Sequence, residues 1–307
     1  MAGMAALEPI AWVLGAYLAG TALFLLAVHV WLAVDHRRSL QARPMKAFLS
    51  ELGWATATEW TVPLVFFLWP WWWRRPRGSV AGGTNDHGAL GPDQTPAPGS
   101  SLEKESARAP LPVVMVHGWG QNRADFWGLA WRLRRRSRHP LHAFDYWFFG
   151  RVEKSARRLE RIVDRVISSS GSDRVHLICH SLGGLVARFF VEQAGGAPKV
   201  ASVTFIGSPL SGTHRASTGI GPAARQMTPG SQFLKALGPP APPAGVRYHS
   251  VWSHSDALVV PPGSAELLGR GKELVLTDAG HLGILYREEV ASQVQTWLAE
   301  AEKGSPL

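Results

Sequence analysis

An α/β architecture, a mostly parallel sheet flanked by helices, is predicted for the chain from Pro112 onward. Three observations predict it. Short apolar runs bounded by turns alternate with amphipathic stretches, the pattern of strand–helix units on a sheet buried on both faces. The 307 residues are 46% hydrophobic and 18% charged, too apolar for a disordered chain and sufficient for a sizeable core. One apolar run, VHLICHSLGG (175–184), passes directly into a small-residue turn and then a helical stretch (185–193).

The strands are expected at 113–116, 142–146, 175–179, 203–206, 248–252 and 274–276. Between the second and third, Val152, Ala156, Leu159, Val163 and Val166 recur at spacings of four and three, which places them on one helical face. Val290, Val294 and Trp297 do the same near the end. Residues 112–303 thus read as one domain. The Gly/Pro-rich run 211–245, with one short helix expected at 231–237, interrupts the rhythm and reads as a cap-like insertion.

The first 77 residues read as a membrane-anchoring region. Residues 10–34 (IAWVLGAYLAGTALFLLAVHVWLAV) contain no Asp, Glu, Lys or Arg. At ~1.5 Å per residue they exceed the ~30 Å hydrocarbon core and predict a transmembrane helix. Trp12 and Trp31 put an indole near each interface. A cleaved signal peptide fits poorly: no Lys or Arg precedes the run and no A-x-A site precedes Asp35.

A second apolar segment, about 54–73, ends in Trp69, Trp71, Trp72 and Trp73 followed by Arg74, Arg75 and Arg77. It is either an interfacial anchor or a second span. Basic residues after the first helix place 35–53 in the cytoplasm, so the domain is cytoplasmic if the second segment does not cross and external if it does. The expected location is integral in the plasma or inner membrane. Residues 78–111, rich in Gly, Pro, Ser and Ala, read as a flexible linker.

The net charge is +9, and between Arg132 and Arg165 there are 11 basic against 4 acidic residues. No nucleic-acid motif accompanies them, so solvated helix faces or anionic headgroups are the expected surroundings. The one cysteine, Cys179, excludes an internal disulfide and any multi-cysteine metal site. No calcium or zinc cluster is legible, and no cofactor is expected.

The chemistry-bearing residues follow the strands. Ser181 sits where a strand turns sharply into a helix, which exposes its hydroxyl at the sheet's C-terminal edge. Gly183 supplies the small neighbour that such a turn needs. The position two before Ser181 is Cys179 where G-x-S-x-G has glycine; a small buried residue ending the strand is the better reading of that thiol than a nucleophile. A serine needs a base, and His281, in DAGHLG after the last strand, is the candidate. A carboxylate must orient that base. Asp256 gives the order Ser…Asp…His, with Asp278 and Asp145 as alternatives. The run VVMVHGWG ends a strand in a glycine-bracketed loop, where His117 and Gly118 lead to Trp119. The backbone N–H of Trp119, with that of Leu182, can form an oxyanion trap.

With VHGWGQN (116–122), CHSLGG (179–184), GSPLSGT (207–213), SHSDALVVP (253–261) and AGHLGIL (279–285), residues 112–300 resemble the α/β-hydrolase superfamily, in its bacterial lipase- and esterase-like branch. ARQMTPGSQFL (224–234) is also similar to a segment of such lipases. The resemblance implies an α/β-hydrolase fold for this part of the chain; the expected N-terminal transmembrane helix and the linker fall outside it. It also implies hydrolysis of carboxylic esters, with lipid or acyl-ester substrates, through an acyl-enzyme. Ser181 would then be the nucleophile, His281 the general base and acid, Asp256 the orienting acid, and Trp119 and Leu182 the oxyanion donors, with no metal. An acyltransferase, thioesterase or amidase could use the same residues. A non-catalytic, membrane-tethered binding or assembly factor is the remaining alternative.

Overall fold

The structure, a computed structural model, describes residues 109–303 and Gly15. The expected transmembrane helix (10–34), the second apolar segment (54–73) and all but the end of the linker (78–111) lie outside the described residues. Among the described residues no helix is long and apolar enough to cross a membrane.

Six strands form one sheet: β1 (Val113–Val116), β2 (Leu141–Phe144), β3 (Val175–His180), β4 (Val200–Ile206), β5 (Arg247–Ser253) and β6 (Lys272–Leu276). Their order is β2-β1-β3-β4-β5-β6 and every neighbouring pair is parallel. All six expected strands are present; two begin where the apolar runs indicate and four begin one to three residues earlier. β5 and β6 begin on Arg247 and Lys272, side chains that apolar periodicity does not count.

Helices cover both faces. α1 (Trp127–Arg136) follows β1, α2 (Val152–Ser170) follows β2, and α3 (Leu182–Gln193) follows β3. The insertion after β4 contains α4 (Pro222–Met227) and α5 (Gln232–Leu237), and α6 (Glu288–Glu302) follows β6. On β1 the alternation is visible in the core. Val114 and Val116 join the cluster under α2 and α3, whereas Val113 and Met115 join the cluster under α1 and α6. The stripe Val152, Ala156, Leu159, Val163 and Val166 of α2 is buried, as are Val290, Val294 and Trp297 of α6.

The chain runs from β1 outward to β2, then back past β1 to β3. The sheet order therefore reverses at β1, and the loops after β1 and β3 diverge there. Crevices of this kind, at the carboxyl ends of parallel strands, are where open α/β sheets bind ligands.

The insertion is held by one buried cation. Arg188 of α3, with no exposed surface, donates to both carboxylate oxygens of Glu192 at 2.9 and 3.0 Å. The same guanidinium donates to Leu210 O and Gly238 O, each at 3.0 Å, so it grips the segment where the insertion begins and just after α5. Tyr248 Oη, at 2.9 Å, and Ala241 N–H, at 3.4 Å, also donate to Glu192 Oε1. Between those grips, Met227, Phe233, Leu234 and Leu237 pack into the core cluster of α3.

Two buried charges generate opposite expectations. Arg188→Ala strands the Glu192 carboxylate and two carbonyls, so it should cost ~3–5 kcal/mol in urea unfolding. A loss under ~1 kcal/mol would mean that the grip adds nothing. Asp125, 1% exposed in the 3-10 turn Arg123–Phe126, has no protein partner for either oxygen. Burial, and then the charge of Asp145, push its pKa up to about 8. Between about pH 4 and 8 the native carboxyl holds a proton that the unfolded one has released. Its contribution to stability is therefore full below the unfolded pKa and disappears as pH rises through 8. Relative to Asp125→Asn, the wild type should lose up to ~1.4 kcal/mol per pH unit across that window in denaturant unfolding. Parallel pH profiles for the two proteins would show that the carboxyl is not protonated in the fold.

Candidate active site

The site begins with one residue of backbone. β3 ends at His180 and α3 starts at Leu182, so Ser181 alone makes the turn, with φ 54° and ψ −125°. Among the described residues only Leu268 shares a positive φ without being glycine. Such a conformation costs ~1–3 kcal/mol and persists only where its surroundings over-determine it. Here they do. A Cβ on Gly183 would lie 2.2 Å from Val116 O, one on Gly184 2.3 Å from Ser208 Oγ, and one on Gly118 2.7 Å from Ser181 Cβ. The first N–H groups of α3 have no partner inside the helix, and the helix dipole makes that end positive. Leu182 contributes the first of them. Cys179 points into the core, where burial pushes its thiol pKa well up, so it is inert there.

Two loops from distant strands meet beside this turn. Asp256, just after β5, receives Leu258 N–H at 2.8 Å and Val259 N–H at 2.9 Å on Oδ1. Its Oδ2 lies 2.7 Å from His281 Nδ1, and both residues are 2% exposed. Every carboxylate oxygen thus has a donor, and the contact fixes the imidazole's orientation. Gly207, at φ 52° after β4, makes room: a Cβ there would come within 3.3 Å of both Asp256 Oδ2 and His281 Nδ1. The other acids are engaged elsewhere. Asp278 pairs with Arg287, and Asp145 accepts from Arg123 N–H and approaches its guanidinium.

His180, the residue before Ser181, joins this pair to the loop after β1. Its ring centroid is 4.7 Å from that of His281, and its Nε2 is 3.0 Å from His281 O. Its Nδ1 is 2.9 Å from Gln121 Oε1, which also accepts Gly118 N–H at 2.7 Å. Burial, then the nearby His281, hold the His180 pKa well below its usual value, so the ring is neutral and donates from one nitrogen. His117 is neutral as well: Tyr146 N–H donates to its Nε2 and its Nδ1 donates to Gly118 O. Burial lowers its pKa to about 4. Tyr146 stacks on that ring, with centroids 4.3 Å apart. Gly118 N–H is thus occupied by Gln121, and the next amide along this loop is that of Trp119.

An aromatic rim borders the loop. Trp119 donates its indole N–H to Ile220 O at 3.2 Å and meets Phe148 and Phe149 edge-on. Trp147 stacks onward on Phe148 and is 69% exposed, and Ile220 is 71% exposed. A separate cleft of about 460 Å³ between α2, α3 and the insertion, lined by Phe189, Pro222 and Phe233 as well as by Glu153 and Arg225, contains none of these site residues.

The structure therefore brings together His281 and Asp256, sets His180 of the Ser181 turn against His281, and packs Gly118 on Ser181. Sequence reasoning missed His180, Gln121 and Gly207 as members of the site. All three were visible only as letters, inside CHSLGG, VHGWGQN and GSPLSGT.

Residues 112–236 match the family model described as alpha/beta hydrolase fold. The mature form of Bacillus licheniformis lipase BlEst2 is similar in structure, with a TM-score of 0.56 at 14% identity, covering 64% of this chain and 94% of that one. Aspergillus fumigatus lipase B gives 0.53 at 17% identity over 62% of this chain, and the match spans about half, 52%, of that protein. At these identities the likeness is one of fold. With its parallel sheet, flanking helices and matched segment, this chain carries an alpha/beta hydrolase fold with lipases among its structural neighbours.

Proposed function

We propose that the protein is a membrane-anchored serine hydrolase that cleaves carboxylic esters, with lipid or other acyl esters as substrates. The buried 2.7 Å contact between Asp256 and His281, beside a serine held at φ 54°, carries this reading. In it, Ser181 Oγ attacks the ester carbonyl while His281 takes the serine proton through Nε2. Asp256 stabilises the resulting imidazolium. The carbonyl oxygen, now anionic, is received by the N–H groups of Trp119 and Leu182. His281 then gives its proton to the departing alcohol. Water, deprotonated by the same imidazole, releases the acid from Ser181.

His180 and Gln121 are positioning residues in this scheme. Gln121 holds Gly118 N–H, and the neutral His180 donates its one proton to either Gln121 Oε1 or His281 O, so it ties the nucleophile's strand to one of the two at a time. His117, locked neutral, supports the loop from below.

The exposed aromatic rim supports an apolar substrate or a lipid surface near the site. Anchoring rests on residues 10–34, tethered through the linker 78–111 to the domain 112–303, and it would hold the site near membrane-dissolved esters. The insertion 211–245, which places Ile220 against Trp119, would act as the cap that shapes the acyl pocket.

Fluorophosphonate labelling of wild type and Ser181→Ala in native membranes, with p-nitrophenyl ester turnover alongside, tests the reading. Labelling should vanish in the variant and kcat should fall ~10⁶-fold. Retained turnover in Ser181→Ala would refute the mechanism. Asp256→Asn should cost ~10⁴-fold while Asp278→Asn stays near wild type. Gln121→Ala should lower kcat up to ~10²-fold with KM nearly unchanged, since it loosens the loop without touching substrate. A change confined to KM would instead make Gln121 a substrate contact.

A further inference from the structure

At the opposite edge of the sheet, the N-terminal ends of the strands, three side chains converge that the proposed chemistry does not use. His139 precedes β2, His176 lies near the start of β3, and Glu302 ends α6. One ligand atom from each lies within 4.8 Å of the others. We propose that His139, His176 and Glu302 form a structural site for a divalent cation of borderline character, zinc above all.

His176 carries the argument. Its side chain has no exposed surface, and its Nε2 has no hydrogen-bond partner among protein atoms. A buried polar atom left so is costly. Its other nitrogen, Nδ1, is 2.8 Å from Ser202 Oγ. With the Nδ1 proton donated there, Nε2 presents a lone pair, the arrangement by which an outer-shell partner fixes a metal-binding histidine.

That lone pair faces Glu302 Oε1 at 3.7 Å, and His139 Nδ1 faces the same oxygen at 3.6 Å. Both separations exceed the ~2.7–3.2 Å of an N–H···O hydrogen bond. They are close to the ~3.3–3.4 Å edge that two ~2.0–2.1 Å bonds at a tetrahedral angle impose around zinc.

The carboxylate is already oriented by its surroundings. Leu111 N–H donates to Glu302 Oε1 at 2.6 Å, and Leu111 O is 2.9 Å from His139 Nδ1. Coordination through Nδ1 replaces the proton on that nitrogen, and the Leu111 carbonyl or a water supplies the fourth position. Two imidazoles and one carboxylate suit zinc better than calcium or magnesium, which take oxygen ligands. The site would tie the chain's entry to the domain at Leu111 to two strands and the last helix. It lies at the far end of β3 from Ser181, roughly 16–17 Å along the strand. Its effect should therefore be on stability.

The test uses the full chain without a histidine tag, stripped with EDTA, in calorimetric titration with ZnCl₂ and thermal unfolding with and without one equivalent. One equivalent should bind and raise Tm. Co²⁺ should give the visible absorption of a four-coordinate site. Glu302→Gln, at an exposed residue, should keep the stripped protein's Tm, and both it and His139→Gln should lose binding by more than ~100-fold. Ser202→Ala should weaken it ~10–100-fold as an outer-shell loss. His176→Ala should abolish it, and if that variant does not fold, the other two still decide. Absence of stoichiometric binding, or binding and Tm shift that survive both Glu302→Gln and His139→Gln, would overturn the proposal.

Discussion

The positive φ at Ser181 is the constraint on which the rest of the site depends. A single residue cannot turn a central parallel strand into a helix unless three backbones come close, and each close approach excludes a side chain. Gly183 lies against the β1 carbonyl of Val116, Gly184 against Ser208, and Gly118 against Ser181 itself. The strain at the turn is offset by a fully buried β3 on one side and nine buried residues of α3 on the other. A turn held from both ends cannot relax without separating β3 from its neighbours. The hydroxyl is presented at a fixed place by packing well away from it.

Environment rather than residue type divides the carboxylates of this edge into different roles. Asp256 and Asp125 are buried almost equally, at 2% and 1% exposed. Asp256 receives two amide protons and faces an imidazole, so a charge there is compensated. Asp125 has no donor and a second carboxylate nearby, and its charged form is disfavoured. The same comparison separates Asp256 from Asp278 and Asp145. Both alternatives follow strands, as Asp256 does, but each has an arginine that satisfies it before His281 can.

How far the sequence discloses this depends on the range of the interaction. The six strands are legible because helices on both faces make each a near-continuous apolar run, and the α2 stripe is legible because 3.6-residue periodicity is local. Ser181, His281 and Asp256 are legible because each closes a strand at the same edge, so chain order alone brings them near one another. Gln121, His180 and Gly207 are not legible. Gln121 acts through one oxygen shared by Gly118 N–H and His180, and Gly207 through space left for a contact made by two other strands. The grip of Arg188 on Leu210 and Gly238 is invisible for the same reason: a buried arginine in an apolar helix has no local pattern.

The basic run between Arg132 and Arg165, a single block in the sequence, is divided by the fold. Its first arginines lie on α1, which packs with α6 on one face of the sheet, and the later ones lie on α2, which packs with α3 on the other. One flat anionic surface cannot meet both. On α1, Arg132 and Arg136 pair with Glu288, while the guanidinium of Arg135 lies 4.8 Å from the centroid of the Trp131 ring. Trp127 and Trp131, one helical turn apart, are 57% and 46% exposed on this helix. An indole beside a guanidinium suits a headgroup layer, where the ring and the charge are both accommodated. α2 exposes Arg157, Arg161 and Arg165 but no tryptophan, and so offers charge without the apolar partner. If one face of the domain rests on lipid, the chemistry favours the α1 face, whose helix follows directly from the loop that carries Trp119.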